Sequence, residues 1–256
     1  MKDHLHHLLI DFASAWRLLT AIPLPLLPED YSRPPGKSTA YYPLVGLILG
    51  GILSGADRVF GWWLPAGLAS ALLLTVWVGT TGMLHLDGFM DCCDGLLPPR
   101  ERSRRLEIMK DSRVGAFAVV GVVLLLLVKF NALMVLPTSQ RWSALLVTPT
   151  LARWAMTWSM ARYPLARLDG LSVFFRRGLE WPQIAAASGV AVLTALLLWG
   201  WLGLVLLAVT WLSVTLVAQL AMARIGGLVG DVYGASGEFI EVVLLVTIVV
   251  IIGLTG

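Results

Sequence analysis

The run AGLASALLLTVWVGTTGMLHLDGFMDCCDG, residues 66–95, joins nineteen residues that carry no charge to three aspartates within the next ten positions. Its first part is about as long as a bilayer-crossing helix needs to be, roughly 20 residues. The whole chain agrees with that solvent. Of its 256 residues 57% are hydrophobic and only 14% charged, and the mean hydropathy is +0.80, values far from those of a water-soluble domain. The expected fold is therefore an all-α integral membrane protein: six to seven transmembrane helices, an N-terminal amphipathic helix, and one polytopic domain over 1–256.

Apolar runs place spans near 41–60, 66–84, 114–136, 143–161, 183–200, 202–223 and 239–254. The N-terminus has Asp11 and Arg17 inside its apolar part and no small-residue cleavage site, so it is expected to be retained. His7, Asp11 and Ser14 alternate there with Leu8, Phe12 and Ala15 at helical spacing, as in a helix lying in the membrane interface. The basic residues are skewed. Arg100, Arg102, Arg104, Arg105, Lys110, Arg113, Arg162, Arg167, Arg176, Arg177 and Arg224 share one side, against Arg58 and Arg141 on the other. The first side is thus read as cytoplasmic, and Trp62, Trp63, Trp142, Trp199 and Trp201 as an outer aromatic belt. Cys92 and Cys93 are adjacent and are not expected to form a structural disulfide.

On a helix Asp87, Asp91 and Asp94 stand at i, i+4 and i+7 and share one face. Bare carboxylates about 6 Å apart repel by roughly 3 kcal/mol per pair at an effective dielectric near 20. A hard cation would relieve this, and Mg²⁺ commonly shares such ligands with substrate phosphates. Gly88 and Gly95 would let a ligand approach the backbone. Arg113, flanked by Asp111, Ser112 and Gly115, suits a bidentate grip on an anion. Lys129 and Arg153 lie inside spans, facing either a buried acid or a polar cavity. GGLVGDVYGASGEFIE, residues 226–241, adds Asp231, Glu238 and Glu241 as a second acidic half-site. Together these suit chemistry on a diphosphate or phosphodiester. An intramembrane Mg-diphosphate prenyltransferase is the enzymatic alternative. A cation or drug transporter is the other, although its coupling charges should gather at the midplane.

The same residues closely resemble the adenosylcobinamide-GDP ribazoletransferase (cobalamin synthase) family. The resemblance runs through IPLP, YYPLVGLILGG, GMLHLDGFMDCCDGL, RRLEIMKDSRVGAF, LVKFNAL, ARLDGLSVFF and GGLVGDVYGA with Glu238 and Glu241 beyond it. It implies a late step of cobalamin biosynthesis in which α-ribazole, or its 5′-phosphate, is joined to adenosylcobinamide-GDP with release of GMP. It implies Mg²⁺ as cofactor, held by Asp87, Asp91 and Asp94, with Arg113 steadying the phosphoryl group and Asp94 or Asp231 as base. The substrate-facing set is then His85, Gly88, Gly95, Asp111, Ser112, Lys129, Arg153, Arg167, Gly230 and Glu238. The expected setting is the bacterial cytoplasmic (inner) membrane, multi-pass, with the site facing the cytoplasm. The partners are the two substrates and the lipid bilayer, with no nucleic acid; a homo-oligomer and contacts with pathway enzymes are compatible with it.

Overall fold

The computed structural model describes residues 2–24, 33–167 and 171–255, leaving aside the side chains at 2–4, 171 and 255; Pro25 of IPLP and positions 168–170 of ARLDGLSVFF lie outside that set. Among the described residues the regular structure is helical. In chain order it comprises α1 (Lys2–Leu19), a 3₁₀ turn (Pro35–Tyr41), α2 (Tyr42–Trp63), α3 (Ala66–Thr80), α4 (Leu84–Leu96), α5 (Arg102–Ile108), α6 (Ala116–Val135), α7 (Thr138–Arg162), α8 (Leu171–Arg176), α9 (Trp181–Trp199), α10 (Leu202–Ile225) and α11 (Gly230–Thr255).

Five segments are long and apolar enough to cross a bilayer: 35–63, α6, α9, α10 and 230–254; the bent pair α3 and α4 would make a sixth. Their outward faces are apolar, with Val120, Leu124, Leu197, Leu212, Leu216 and Val250 exposed, as lipid-facing positions require. The expected span at 143–161 is α7, and it differs in kind. With 25 residues it has the length, but it carries Arg141, Thr148, Thr150, Arg153 and Thr157, all buried. Protein rather than lipid surrounds this helix, so its composition need not be apolar. Arg141, expected on the outer surface, is buried against Asp57, with Nε 2.8 Å from Oδ1, and donates to Ser70 Oγ at 2.9 Å.

The tightest crossing is α2 on α7. Gly46 and Gly50, one turn apart, lie against the backbone at Pro149 and Leu145, where any Cβ would collide. Such small-residue pairs let helices approach closely where lipid supplies no hydrophobic drive. Pro149 has no N–H to give Leu145, four residues earlier, and Gly50 packs over that freed carbonyl.

Residues 66–95 form two helices, not one. Gly82 (φ +60°) and Met83 (φ +61°) are both left-handed, and α4 departs from α3 at 89°. A non-glycine residue there is uncommon. The break sends the aspartate-bearing helix away from the line of α3 and packs it against α6 and α11. At the N-terminus α1 forms as expected and is two-faced: Ile10, Asp11, Ala13, Ala15, Trp16 and Leu19 are buried, while Leu5, Leu8 and Leu9 are exposed. Arg33 forks onto Asp11 at 2.8 and 2.6 Å.

Candidate active site

Asp87 is exposed, and Asp91 and Asp94 are half-buried on α4. Asp231, on the first turn of α11, joins them from 140 positions away, close enough to act electrostatically on Asp91 together with Asp87 and Asp94. Two glycines explain the meeting. A Cβ at Gly88 would stand 2.8 Å from the Asp231 carbonyl oxygen, and one at Gly234 would stand 3.1 Å from the His85 Cα. The glycines of the two acidic motifs therefore serve the crossing of α4 with α11. Gly88, expected to make room for a ligand, makes room for α11. Gly95, expected to do the same, faces the Met109 side chain. Gly230 alone among these has open space around it.

The three aspartates of α4 are not equivalent. Asp94 Oδ2 accepts the Gly115 N–H at 2.7 Å and Oδ1 the Ala118 N–H at 2.9 Å, so its carboxylate holds the amino end of α6. Asp231 is the reverse case: its Oδ2 is buried and accepts no hydrogen bond, and Arg167 is the cation acting on it. Beyond α4, Arg113 folds back on Asp111, with Nε 3.0 Å from Oδ1 and Nη2 2.5 Å from Oδ2. That pair is on an exposed turn with Ser112 between them, and the bonds from Arg113 hold the Asp111 carboxyl down to about 2.

Lys129, Arg153 and Glu238 turn inward. Lys129 Nζ lies 3.1 Å from Glu238 Oε2 and also bonds Glu241, which in turn binds Arg153. All four are buried, and the Lys129 ammonium stands 4.3 Å from the centre of the Trp77 ring. Of the two sequence readings of Lys129 and Arg153, the buried acid is what they face, and the acid is Glu241 of the supposed acidic half-site. His85 sits between this cluster and the bundle end, buried, with Nδ1 making no hydrogen bond.

Sequence reasoning missed Arg105. Read as one orientation charge among several, it is 2% exposed and donates to the carbonyls of Gly95, Leu96 and Arg100, each at 2.8 Å. It thereby caps the carboxyl end of α4. Its signal was slight: a basic residue one short loop beyond a helix end that lacks its own cap. Arg102 likewise donates to the Ala166 carbonyl at 3.1 Å, beside the short parallel bridge of Leu165 with Leu228 that leads into α11.

Among the described residues no three His, Cys, Asp or Glu side chains converge closely enough to enclose a metal by themselves. What converges is an all-oxygen set at the bundle end, one of its buried oxygens without a partner. That set suits a hard cation completing its shell with water and phosphate oxygens rather than a soft or fully caged metal.

Comparison with known proteins falls on the same chain-wide pattern. The family described as cobalamin-5-phosphate synthase matches residues 11–249. An adenosylcobinamide-GDP ribazoletransferase of Geotalea daltonii is 39% identical over 239 residues, 93% of this chain and 96% of its own. Proteins of the same name from Roseiflexus sp. and Pseudomonas fluorescens are 35% and 37% identical, covering 91% and 93% of this chain and 87% and 98% of their own. No solved structure matches. With the match running from α1 to the last turns of α11, through both acidic motifs, the chain belongs to the cobalamin-5-phosphate synthase family.

Proposed function

We propose that this protein is an adenosylcobinamide-GDP ribazoletransferase working at the cytoplasmic face of the bacterial inner membrane, and that Mg²⁺ held by Asp87 and Asp91 assists it. The observation that carries this reading is the close crossing of α4 with the first turn of α11, where Gly88 lies against the Asp231 backbone and so brings Asp231 to the helix that bears Asp87 and Asp91. In the reaction a ribose hydroxyl of α-ribazole, or of its 5′-phosphate, attacks the phosphorus attached to the cobinamide. The new P–O bond forms as the bond to GMP breaks, and the hydroxyl proton passes to a carboxylate. Asp231 suits that proton because its Oδ2 accepts no other hydrogen bond, whereas both oxygens of Asp94 accept α6 amides. Asp94 is thus better suited to positioning than to either base or metal ligand. The cation, when bound, supplies positive charge against the diphosphate and the departing GMP. Arg113, on its exposed turn with Asp111, is free to exchange that carboxylate for a phosphate of the same fork geometry.

The family match argues against both the transporter and the prenyltransferase alternatives. Purified protein in detergent, given adenosylcobinamide-GDP, α-ribazole and Mg²⁺, should yield adenosylcobalamin and GMP in equal amounts. Absence of both products would refute the assignment.

A further inference from the structure

α10 is long and apolar enough to cross a bilayer. Leu206, Thr210, Val214 and Ala218 are buried on one side of it, which packs on α7, α9 and α11. Its other side looks out of the bundle, with Leu204, Leu212 and Leu216 exposed. Two polar residues share that outward face: Trp211, 46% exposed, and Gln219, exposed two turns farther along. Among the described residues neither side chain makes a hydrogen bond. Thr215, between them, keeps its hydroxyl beneath the surface, also unbonded. Both outward residues are deep in the span. The 24 residues of α10 extend roughly 36 Å, against about 30 Å of hydrocarbon. Trp211 is near the midpoint, far from the interface where tryptophan is usual. Gln219 lies about 6 Å inside the apolar layer, and Cβ atoms tilt toward the amino end of a helix. Its amide is therefore carried toward the bilayer centre, away from the nearer surface, where no water is at hand to bond it.

We infer that this face of α10 docks a second copy of the chain, helix beside parallel helix about a two-fold axis along the membrane normal, with the two Gln219 amides bonded to each other. The inference stands apart from the function proposed above. Lipid tails cover Leu204, Leu212 and Leu216 as well as protein does, but they offer an amide nothing. Copies inserted with one topology hold equal residues at equal depth, so a two-fold along the normal brings each Gln219 to its counterpart. A side-chain amide carries both donors and an acceptor. Two of them therefore pair, Nε2–H to Oε1, which makes the face complementary to itself. Ala208 is exposed on the same face, and a side chain that small lets the two backbones draw near. The Trp211 rings then pack across the axis, away from lipid.

Energy transfer between donor- and acceptor-labelled copies in phospholipid vesicles tests this, measured as the protein is diluted with lipid. Wild type should show transfer that falls along a single monomer–dimer curve. Gln219→Leu replaces an unbonded amide by a lipid-like side chain, so the Tm of the monomer in detergent should hold or rise. Its dimer should dissociate about tenfold more readily, the worth of a pair of polar contacts between membrane helices. Trp211→Ala should weaken the dimer in the same direction. Leu193→Ala, at an exposed position on α9, should leave the curve where it is. Transfer in wild type no greater than random proximity in the vesicle gives would overturn the inference. So would a wild-type dimer that neither Gln219→Leu nor Trp211→Ala weakens, or one that Leu193→Ala weakens as much, since the copies would then meet through another face.

Discussion

Asp87 and Asp94 lie two turns apart on one helix face and meet opposite local environments. Asp87 is exposed among like charges, and Asp94 is bonded to the first amides of α6. Their neutralisation should therefore separate catalysis from stability. Asp87→Asn and Asp91→Asn remove repulsion from the apo protein, so Tm in detergent should hold or rise, while activity falls by about 10²–10³-fold, as when one preorganised electrostatic partner is lost. Mg²⁺ together with the GDP-bearing substrate should raise the Tm of wild type by mass action and do so little in Asp87→Asn. Asp94→Ala should lower Tm, by about 0.5–2 kcal/mol of stability as for a lost helix cap, and added Mg²⁺ should not restore it. Equal Tm losses in all three variants would make the aspartates a common scaffold. At this scale the sequence was legible in spacing: i, i+4, i+7 foretold one face correctly. It was silent on partners, because which carboxylate meets an amide and which meets another acid depends on where α6 and α11 arrive.

Those arrivals are settled between elements, by glycine. Gly88 and Gly234 bring α4 and α11 so close that a methyl at either meets backbone, whereas Gly51, on α2, has nothing within 4 Å of where its Cβ would be. Gly88→Ala should therefore force the helices apart, costing about 1–3 kcal/mol and most of the activity although every carboxylate remains. Gly51→Ala should leave both unchanged, or slightly raise Tm through helix propensity. Thermal unfolding and product formation on the two variants check this, and an active, stable Gly88→Ala would sink it. The sequence located these glycines but misread their neighbour, since a glycine beside an acid looks the same whether a ligand or a helix approaches. It likewise placed α7 correctly and mistook its surroundings. Hydropathy registers what lies around a helix only when that is lipid, and α7 is enclosed by protein. The break at Gly82 and Met83 was equally hidden, because a left-handed methionine leaves no mark on an apolar run.

Across the whole molecule, alternating helices carry both acidic motifs to the end where the basic connections lie. Reporters fused after Arg105 and Arg177 should therefore both be cytoplasmic, and those at Gly61 and Gln140 external; opposite signals from Arg105 and Arg177 would divide the proposed active face. Inside the bundle, one ionic cluster ties Lys129 of α6 to Glu238 and Glu241 of α11 and Arg153 of α7, with Trp77 of α3 against the ammonium. Two cations and two anions balance, and the cluster is closed from solvent. Breaking one member of such a set leaves an unpaired charge and costs about 3–5 kcal/mol, whereas replacing a whole pair by neutral groups is often close to neutral. Lys129→Met should accordingly lose much of its Tm in detergent. Lys129→Met combined with Glu238→Gln leaves the Arg153–Glu241 pair intact and should recover most of the loss. The double variant's turnover then decides what the cluster is for. If Lys129 and Glu238 serve only to lock α6 to α11, activity returns with stability. If the double variant is stable yet inactive, they contact substrate as the sequence first suggested, and the closed cluster must open during the reaction.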